Sequence, residues 1–251
     1  MINILLYSEL SDFYGLGGYG YGYYGMDWTY FLVIIGAIIS IMASANVNNT
    51  FQKYARISAM CGLTGADVAR RILNSEGMYN MPINAVGGNL TDFYDPRSKS
   101  LNLSDSVCRR TNVAAIAVAA HECGHAMQHN EGYELLVLRN KIVPIANFGS
   151  RIGLPIIFAG IILAIDPLVK IGVILFSFAF IFQLLTLPVE LDASRRALAK
   201  LEELGIVYSE EKGAAKKVLT AAALTYVAAL ASSLLSLLRV ILISNKGRRR
   251  R

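Results

Sequence analysis

The chain has 251 residues, of which 54% are apolar and only 17% charged, with a net charge of +6. A soluble domain of this size carries about 25% charge, so the deficit argues against an ordinary soluble globule and implies that part of the chain meets lipid. The basic residues are scattered between apolar segments and bring no recognition motif with them, so no nucleic-acid partner is expected; they read as topology markers and contacts to anionic headgroups.

Residues 1–27 are rich in Gly and Tyr and carry no Lys or Arg. They lack the basic start and apolar run of a cleavable signal peptide and read as a tail, either flexible or resting among the headgroups. Trp28 to Ala45 is an uncharged run long enough to span a bilayer, with Trp28 and Tyr30 marking one interface.

Residues 46–142 form a polar block. Thr64 with Asp67 predicts a capping box, opening a helix that buries Val68, Ile72 and Leu73 and ends at Gly77. Leu90–Tyr94 and Lys99–Leu103 flank Asp95-Pro96-Arg97-Ser98, a type I turn sequence, and predict a β-hairpin. Ser104 or Asp105 is expected to cap a further helical stretch, and Val113–Gln128 predicts a strongly apolar helix. Three cysteines (Cys61, Cys108 and Cys123) with no paired spacing argue against a disulfide framework and read as small buried residues.

Beyond this block, residues 143–189 predict a transmembrane hairpin. Its first arm is the weaker run Ile152–Ile165, extended backwards through Val143, Ile145 and Phe148, with Arg151, Pro144 and Pro155 expected to interrupt it. Asp166-Pro167 is its expected turn and Ile171–Val189 its second arm. A second polar block covers 190–217, a last span 218–243, and a basic tail 244–251. The fold class predicted is a mainly α integral membrane protein, with about four transmembrane helices and a small α+β zincin-like catalytic region containing a β-hairpin. Some apolar runs could instead be buried helices of a large soluble core, but four in 251 residues weigh against that.

The helix at 113–128 contains His121-Glu122-Cys123-Gly124-His125. Two histidines four apart lie one turn apart on one face and can converge on a single metal ion. Zinc lowers the pKa of a water it holds to about 7, and Glu122, on the adjacent edge of the same turn, is placed to act as general base. One Zn2+ is therefore expected, with His121 and His125 as ligands. The opposing reading is a pair of buried histidines satisfied by hydrogen bonds, with Glu122 in a salt bridge. Gly124 lies inside the helix, where Gly costs about 1 kcal/mol relative to Ala, so a close approach is expected there.

A catalytic zinc site takes three protein ligands and one open position. A metzincin pattern would need Gly at 128 and His at 131, where this chain has Gln128 and Glu131. The remaining histidine, His129, reads as a cap or surface residue. Glu190, just after the third apolar run, is the expected third ligand, because a hairpin through the bilayer returns it to the face carrying His121. Pro188 is expected to break or kink the helix and turn Glu190 inward. Glu131 is the fallback ligand. Glu190 could also simply mark the membrane interface. Asp192 is a candidate to orient a ligating imidazole, or else pairs with Arg195 or Arg196. Candidate transition-state stabilisers are Tyr94, Arg195, Arg196 and Tyr226, together with the metal or backbone donors. Leu90, Thr91, Asp92 and Phe93 form a candidate strand edge for an extended peptide, or pack structurally.

The stretch Gly88–Arg97, the Ala119–Ala126 segment around His121 and His125, and Leu187–Ala197 together resemble the bacterial YugP family of neutral zinc metallopeptidases of the cell membrane. The resemblance spans residues from about 28 to 240. The arrangement is also similar to the HtpX heat-shock protease and the CAAX prenyl endopeptidases, which have two spans between HExxH and a Glu-x-x-x-Asp motif. Glu190 matches that glutamate, while Ser194 stands where the motif has aspartate. The resemblance implies endopeptidase activity but no physiological substrate; a peptide or membrane-protein substrate is the expectation.

The leading expectation is thus a zinc endopeptidase of the gluzincin kind (HExxH plus Glu) in the cell membrane, surrounded by the lipid bilayer and acting at its surface. An intramembrane metalloprotease and a non-catalytic zinc-binding scaffold are the alternatives. Sixteen Lys and Arg fall in residues 46–142 and 190–217, which by the positive-inside rule puts the catalytic face in the cytoplasm, whereas the basic tail pulls the other way.

Overall fold

A computed structural model describes residues 28–249, with side chains described as far as residue 244. The Gly/Tyr-rich stretch lies outside the described residues, as do the side chains of most of the basic tail. The order of elements is α1 (Tyr30–Tyr54), α2 (Gly65–Ser75), β1 (Ile83–Val86), β2 (Phe93–Asp95), β3 (Ser100–Ser104), α3 (Val113–Asn130), α4 (Glu134–Ile162), α5 (Asp166–Glu203) and α6 (Ser209–Arg249). Helices α1, α4, α5 and α6 are each long and apolar enough to cross a membrane. Their outer faces expose Ile34, Ile38, Ile41, Phe148, Phe158 and Ile174. In water such a band would be a liability; against hydrocarbon it is the ordinary surface of a membrane protein.

Local chemistry sets the small α+β region. Thr64 accepts from the Asp67 amide while Asp67 accepts from the Thr64 amide, so the capping box forms. Val68, Ile72 and Leu73 are fully buried, and Gly77 follows the helix at φ 75, a conformation that favours glycine. Asp95 accepts from the Arg97 amide (3.0 Å) and the Ser98 hydroxyl (2.6 Å), closing the hairpin turn. The Ser98 and Arg97 bonds hold the Asp95 carboxyl below its ordinary pKa.

The sheet has the order β1-β3-β2. Strand β2 is antiparallel to β3 (Tyr94 opposite Leu101) and β1 is parallel to it (Ile83 opposite Leu101). Neither β1 nor its parallel pairing was expected. Leu90–Asp92 precede the strand: Leu90 has φ 55 and the Asp92 side chain is committed to Ser104. The residues after Ser104 form turns, and α3 is capped by Asn112, whose side chain accepts from the Ala115 amide at 2.8 Å.

The membrane helices differ from expectation at their prolines. Helix α4 runs unbroken through Pro144 and Pro155, and α5 through Pro188. Proline removes one amide donor, yet packing against neighbouring helices lets a membrane helix continue past it. The hairpin turn lies at Leu163–Ile165, with Ala164 at φ 57. Pro167 falls in the first turn of α5, where it needs no donor. The two arms approach closely: a side chain at Gly149 would collide with the Leu175 carbonyl.

One buried cluster joins the layers. Val68, Ile72, Leu101, Leu103, Ile116 and Leu201 form its centre, and Phe51 and Tyr54 of α1 and Val218 and Leu219 of α6 complete it. The ends of the membrane helices are thereby part of the core that holds α3.

Candidate metal centre

Helix α3 is apolar on nearly every side, and Val113, Ile116, Ala117 and Ala120 are fully buried. It is therefore a rigid support. Gly124 is the point where it meets α5: a Cβ there would lie 2.5 Å from the Ala193 carbonyl oxygen. Only glycine permits that approach, and the approach brings Glu190, one turn earlier on α5, over the two histidines.

His121 Nε2 lies 3.2 Å and His125 Nε2 3.3 Å from Glu190 Oε2. The rings stand edge to face, with centroids 4.9 Å apart, and the three donor atoms lie within 4.8 Å of one another. A tetrahedral ion bound at about 2.0–2.1 Å keeps its donors about 3.3–3.4 Å apart. Two imidazole nitrogens and a carboxylate oxygen so spaced fit zinc in both chemistry and size. Among the described residues this is the group of His, Cys, Asp and Glu able to hold a metal ion.

Each of the three side chains is oriented from behind. Gln128, fully buried, donates its amide nitrogen to the Val189 carbonyl (2.8 Å) and to Asp192 (3.0 Å). Its oxygen therefore faces His125 Nδ1 at 3.0 Å and accepts a hydrogen bond from it, so that the neutral form of the ring presents its lone pair at Nε2. Ser194 Oγ lies 3.2 Å from His121 Nδ1 and stands behind the other imidazole. The serine that departs from the Glu-x-x-x-Asp motif is thus in contact with a histidine of the group. Glu190 itself is 2% exposed; Arg139 Nη2 lies 3.6 Å from its Oε1, and Tyr226 stands beside it.

Glu122 is buried next to this group, and the Tyr94 amide donates to its Oε2 at 3.0 Å. That amide points away from β3, so the outer edge of β2 faces α3. The Tyr94 hydroxyl is 2.6 Å from His129 Nδ1. Burial and the Asp95 charge push the tyrosine up to about 12, so the hydroxyl in this pair keeps its proton. Beside this pair a cleft of about 510 Å³ is lined by Met78, Met81, Lys99 and Ala126 as well.

Other candidates lie further off. Asp192 touches no imidazole; it accepts from Gln128, Arg195 and Arg196, and so reaches His125 through one amide. Arg195 is largely exposed and pairs with Asp192. Arg196 bridges Asp192 and Glu131, which removes Glu131 from the metal group. Leu90 donates its amide to Ser106, Thr91 donates its hydroxyl to the Gly87 carbonyl, and Asp92 accepts from the Ser104 amide and hydroxyl. Phe93 is left exposed at the start of β2. Burial pushes Asp92 up to about 6 against the pull of the Ser104 amide. Arg139 and Gln128 were not singled out from sequence. An arginine just before an apolar run reads as a headgroup anchor, and a glutamine on an apolar helix gives no local sign of its partner.

Burial alone would lower the His125 pKa, but the neighbouring Glu190 carboxylate and its hydrogen bond outweigh this and push it up to about 9. The metal-free imidazole then carries a proton at pH 7, whereas a ligating one is neutral. Its folded-state pKa lies above the unfolded value of about 6.5. The contact therefore stabilises the metal-free fold fully below about 6.5 and is lost as pH rises through about 9. Zinc uptake at pH 7 is expected to release this proton, with apparent affinity falling about tenfold per pH unit below about 9. Titration calorimetry in buffers of different ionisation enthalpy counts the proton; uptake at pH 7 without release would contradict the arrangement.

Residues 29–245 match the protein family described as "Putative neutral zinc metallopeptidase". The chain is 45% identical over 218 residues to "Putative membrane protease YugP" of Bacillus subtilis (strain 168), covering 87% of this chain and 97% of that protein. No solved structure matches.

Proposed function

Because the chain belongs to the neutral zinc metallopeptidase family, we propose that it is a membrane-bound zinc endopeptidase in which His121, His125 and Glu190 hold the metal and Glu122 is the general base. The observation that carries this reading is the meeting of three donor atoms, from helices separated by a bilayer hairpin, beside a buried glutamate. Zinc, when bound, supplies a Lewis acid that polarises a carbonyl and brings the pKa of water to about 7.

The residues of the chain do the rest. The Tyr94 amide fixes Glu122 through Oε2, leaving Oε1 to take the proton of the attacking water and deliver it to the departing amine. Gln128 and Ser194 hold the two imidazoles in the tautomer that presents Nε2. Arg139 and Tyr226 hold Glu190, and Asp192, fastened by Arg195 and Arg196, steadies Gln128. An extended peptide runs past Phe93 along the outer edge of β2, and one of its side chains enters the cleft beside Tyr94 and His129.

Cleavage at the membrane surface is favoured over cleavage within the bilayer, because α3 is packed in the α+β core and is not among the four helices apolar enough to span. Purified protein is expected to contain one zinc per chain and to cleave peptides. A chelator should abolish cleavage and added zinc restore it; cleavage indifferent to chelation would sink the proposal.

Four helices long and apolar enough to span, with an excess of Lys and Arg in the polar blocks, support a multi-pass protein whose α+β region faces the cytoplasm. Single cysteines placed at 46 and 247, with the native cysteines replaced, should behave oppositely toward an impermeant reagent in intact cells, with 247 labelled and 46 protected. Labelling of 46 would reverse the orientation.

A further inference from the structure

Helices α1 and α6 pack antiparallel: Arg239 lies over the Tyr30 ring at 4.0 Å, and Ser232 presses on Gly36. Following the pair toward the α+β region, an open recess of about 590 Å³ lies between the two helices, lined by residues 46–54 of α1 and 213–224 of α6. The apolar run of α1 ends at Ala45 and that of α6 begins at Val218. The cavity therefore straddles the level at which both helices leave the hydrocarbon.

Its lining is one-sided in charge. Lys53, Lys216 and Lys217 face it and no carboxylate does. None of the three makes an ion pair among the described residues, although carboxylates elsewhere on this face are taken up by Lys200, Lys212 and Arg196. Thr50, Thr220 and Asn46 add neutral donors, while Ala221 and Leu224 form an apolar wall on the membrane side.

We infer that this cavity is a binding site for the headgroup of one anionic phospholipid, whose phosphate meets the three ammonium groups while its acyl chains run down the groove between α1 and α6. The chemistry required is a phosphate monoanion attached to an apolar body. Phosphate alone would use the lysines but not the Leu224 side. A basic recess between membrane helices is suited to such a lipid, with each lysine near the surface contributing about a fivefold gain in affinity. Lysines that merely anchor the helices would extend toward water separately and would respond to any surface charge. Tyr54 links the cavity to the catalytic region, since it lines the one and is buried in the core of the other.

The test uses the full chain in an uncharged detergent, with short-chain phosphatidylglycerol, short-chain phosphatidylcholine and inorganic phosphate as separate titrants. Parent protein is expected to bind one phosphatidylglycerol at least tenfold tighter than phosphatidylcholine. The triple variant K53Q/K216Q/K217Q should lose on the order of a hundredfold, and each single variant about fivefold. A control with the same loss of charge elsewhere, R56Q/R109Q/R110Q, should bind as the parent does. Unchanged binding by the triple or single variants, or an equal loss in the control, overturns the site. Inorganic phosphate binding as tightly as phosphatidylglycerol overturns the lipid assignment. Zinc content and helicity of each variant show that it has folded.

Discussion

Glu122→Gln is expected to keep its zinc and lose at least a hundredfold in peptide cleavage, within the 10²–10⁴ range typical of a positioned general base. Glutamine is nearly isosteric, and its amide oxygen can still accept from Tyr94, so the helix and the three proposed metal ligands are undisturbed. It cannot take a proton at Oε1. Reading kcat separately from KM matters: loss of the base lowers kcat, while a disturbed cleft raises KM. A variant cleaving as fast as the parent would leave the zinc reading standing and remove Glu122 from the chemistry.

The second large effect is at Glu190. Apparent binding energies of roughly 10–16 kcal/mol for four-ligand zinc sites give about 2.5–4 kcal/mol per ligand, or roughly a hundredfold to a thousandfold in affinity. Glu190→Gln is expected to lose that much. It also leaves the buried Arg139 guanidinium without its partner, and removing one member of a buried pair costs about 3–5 kcal/mol. The double change Glu190→Gln/Arg139→Met should therefore regain much of the thermal stability while remaining poor in zinc. Zinc content and melting temperature, read together, separate the two roles. Parent-like zinc content in Glu190→Gln would show that another group completes the site.

What the sequence made legible follows from how local each signal is. His121 and His125 are one helical turn apart wherever the helix sits, and the Thr64–Asp67 capping box is complete within four residues. Glu190 could be found although it lies 69 positions from His121, because two apolar runs of bilayer length force a return to the same face. The supporting contacts were not legible. Ser194 and Gln128 acquire their partners only when α5 lies against α3, and the Tyr94 contribution is a backbone amide, which no side chain announces. The prolines misled for a different reason. The rule that they end helices is learned in water, and Pro144, Pro155 and Pro188 lie in helices supported by lipid and neighbouring helices. Strand β1 was missed because Ile83-Asn84-Ala85-Val86 is short and does not alternate.

The close contact of Gly124 with Ala193 has a consequence for biogenesis. During synthesis the His121 turn emerges well before the segment that must press against it. Until the hairpin has been inserted and its second arm has come back, the protein carries only two of three metal-binding groups. On the proposed metal set, zinc binding is therefore tied to membrane insertion, and chains stranded in the aqueous phase lack the third donor.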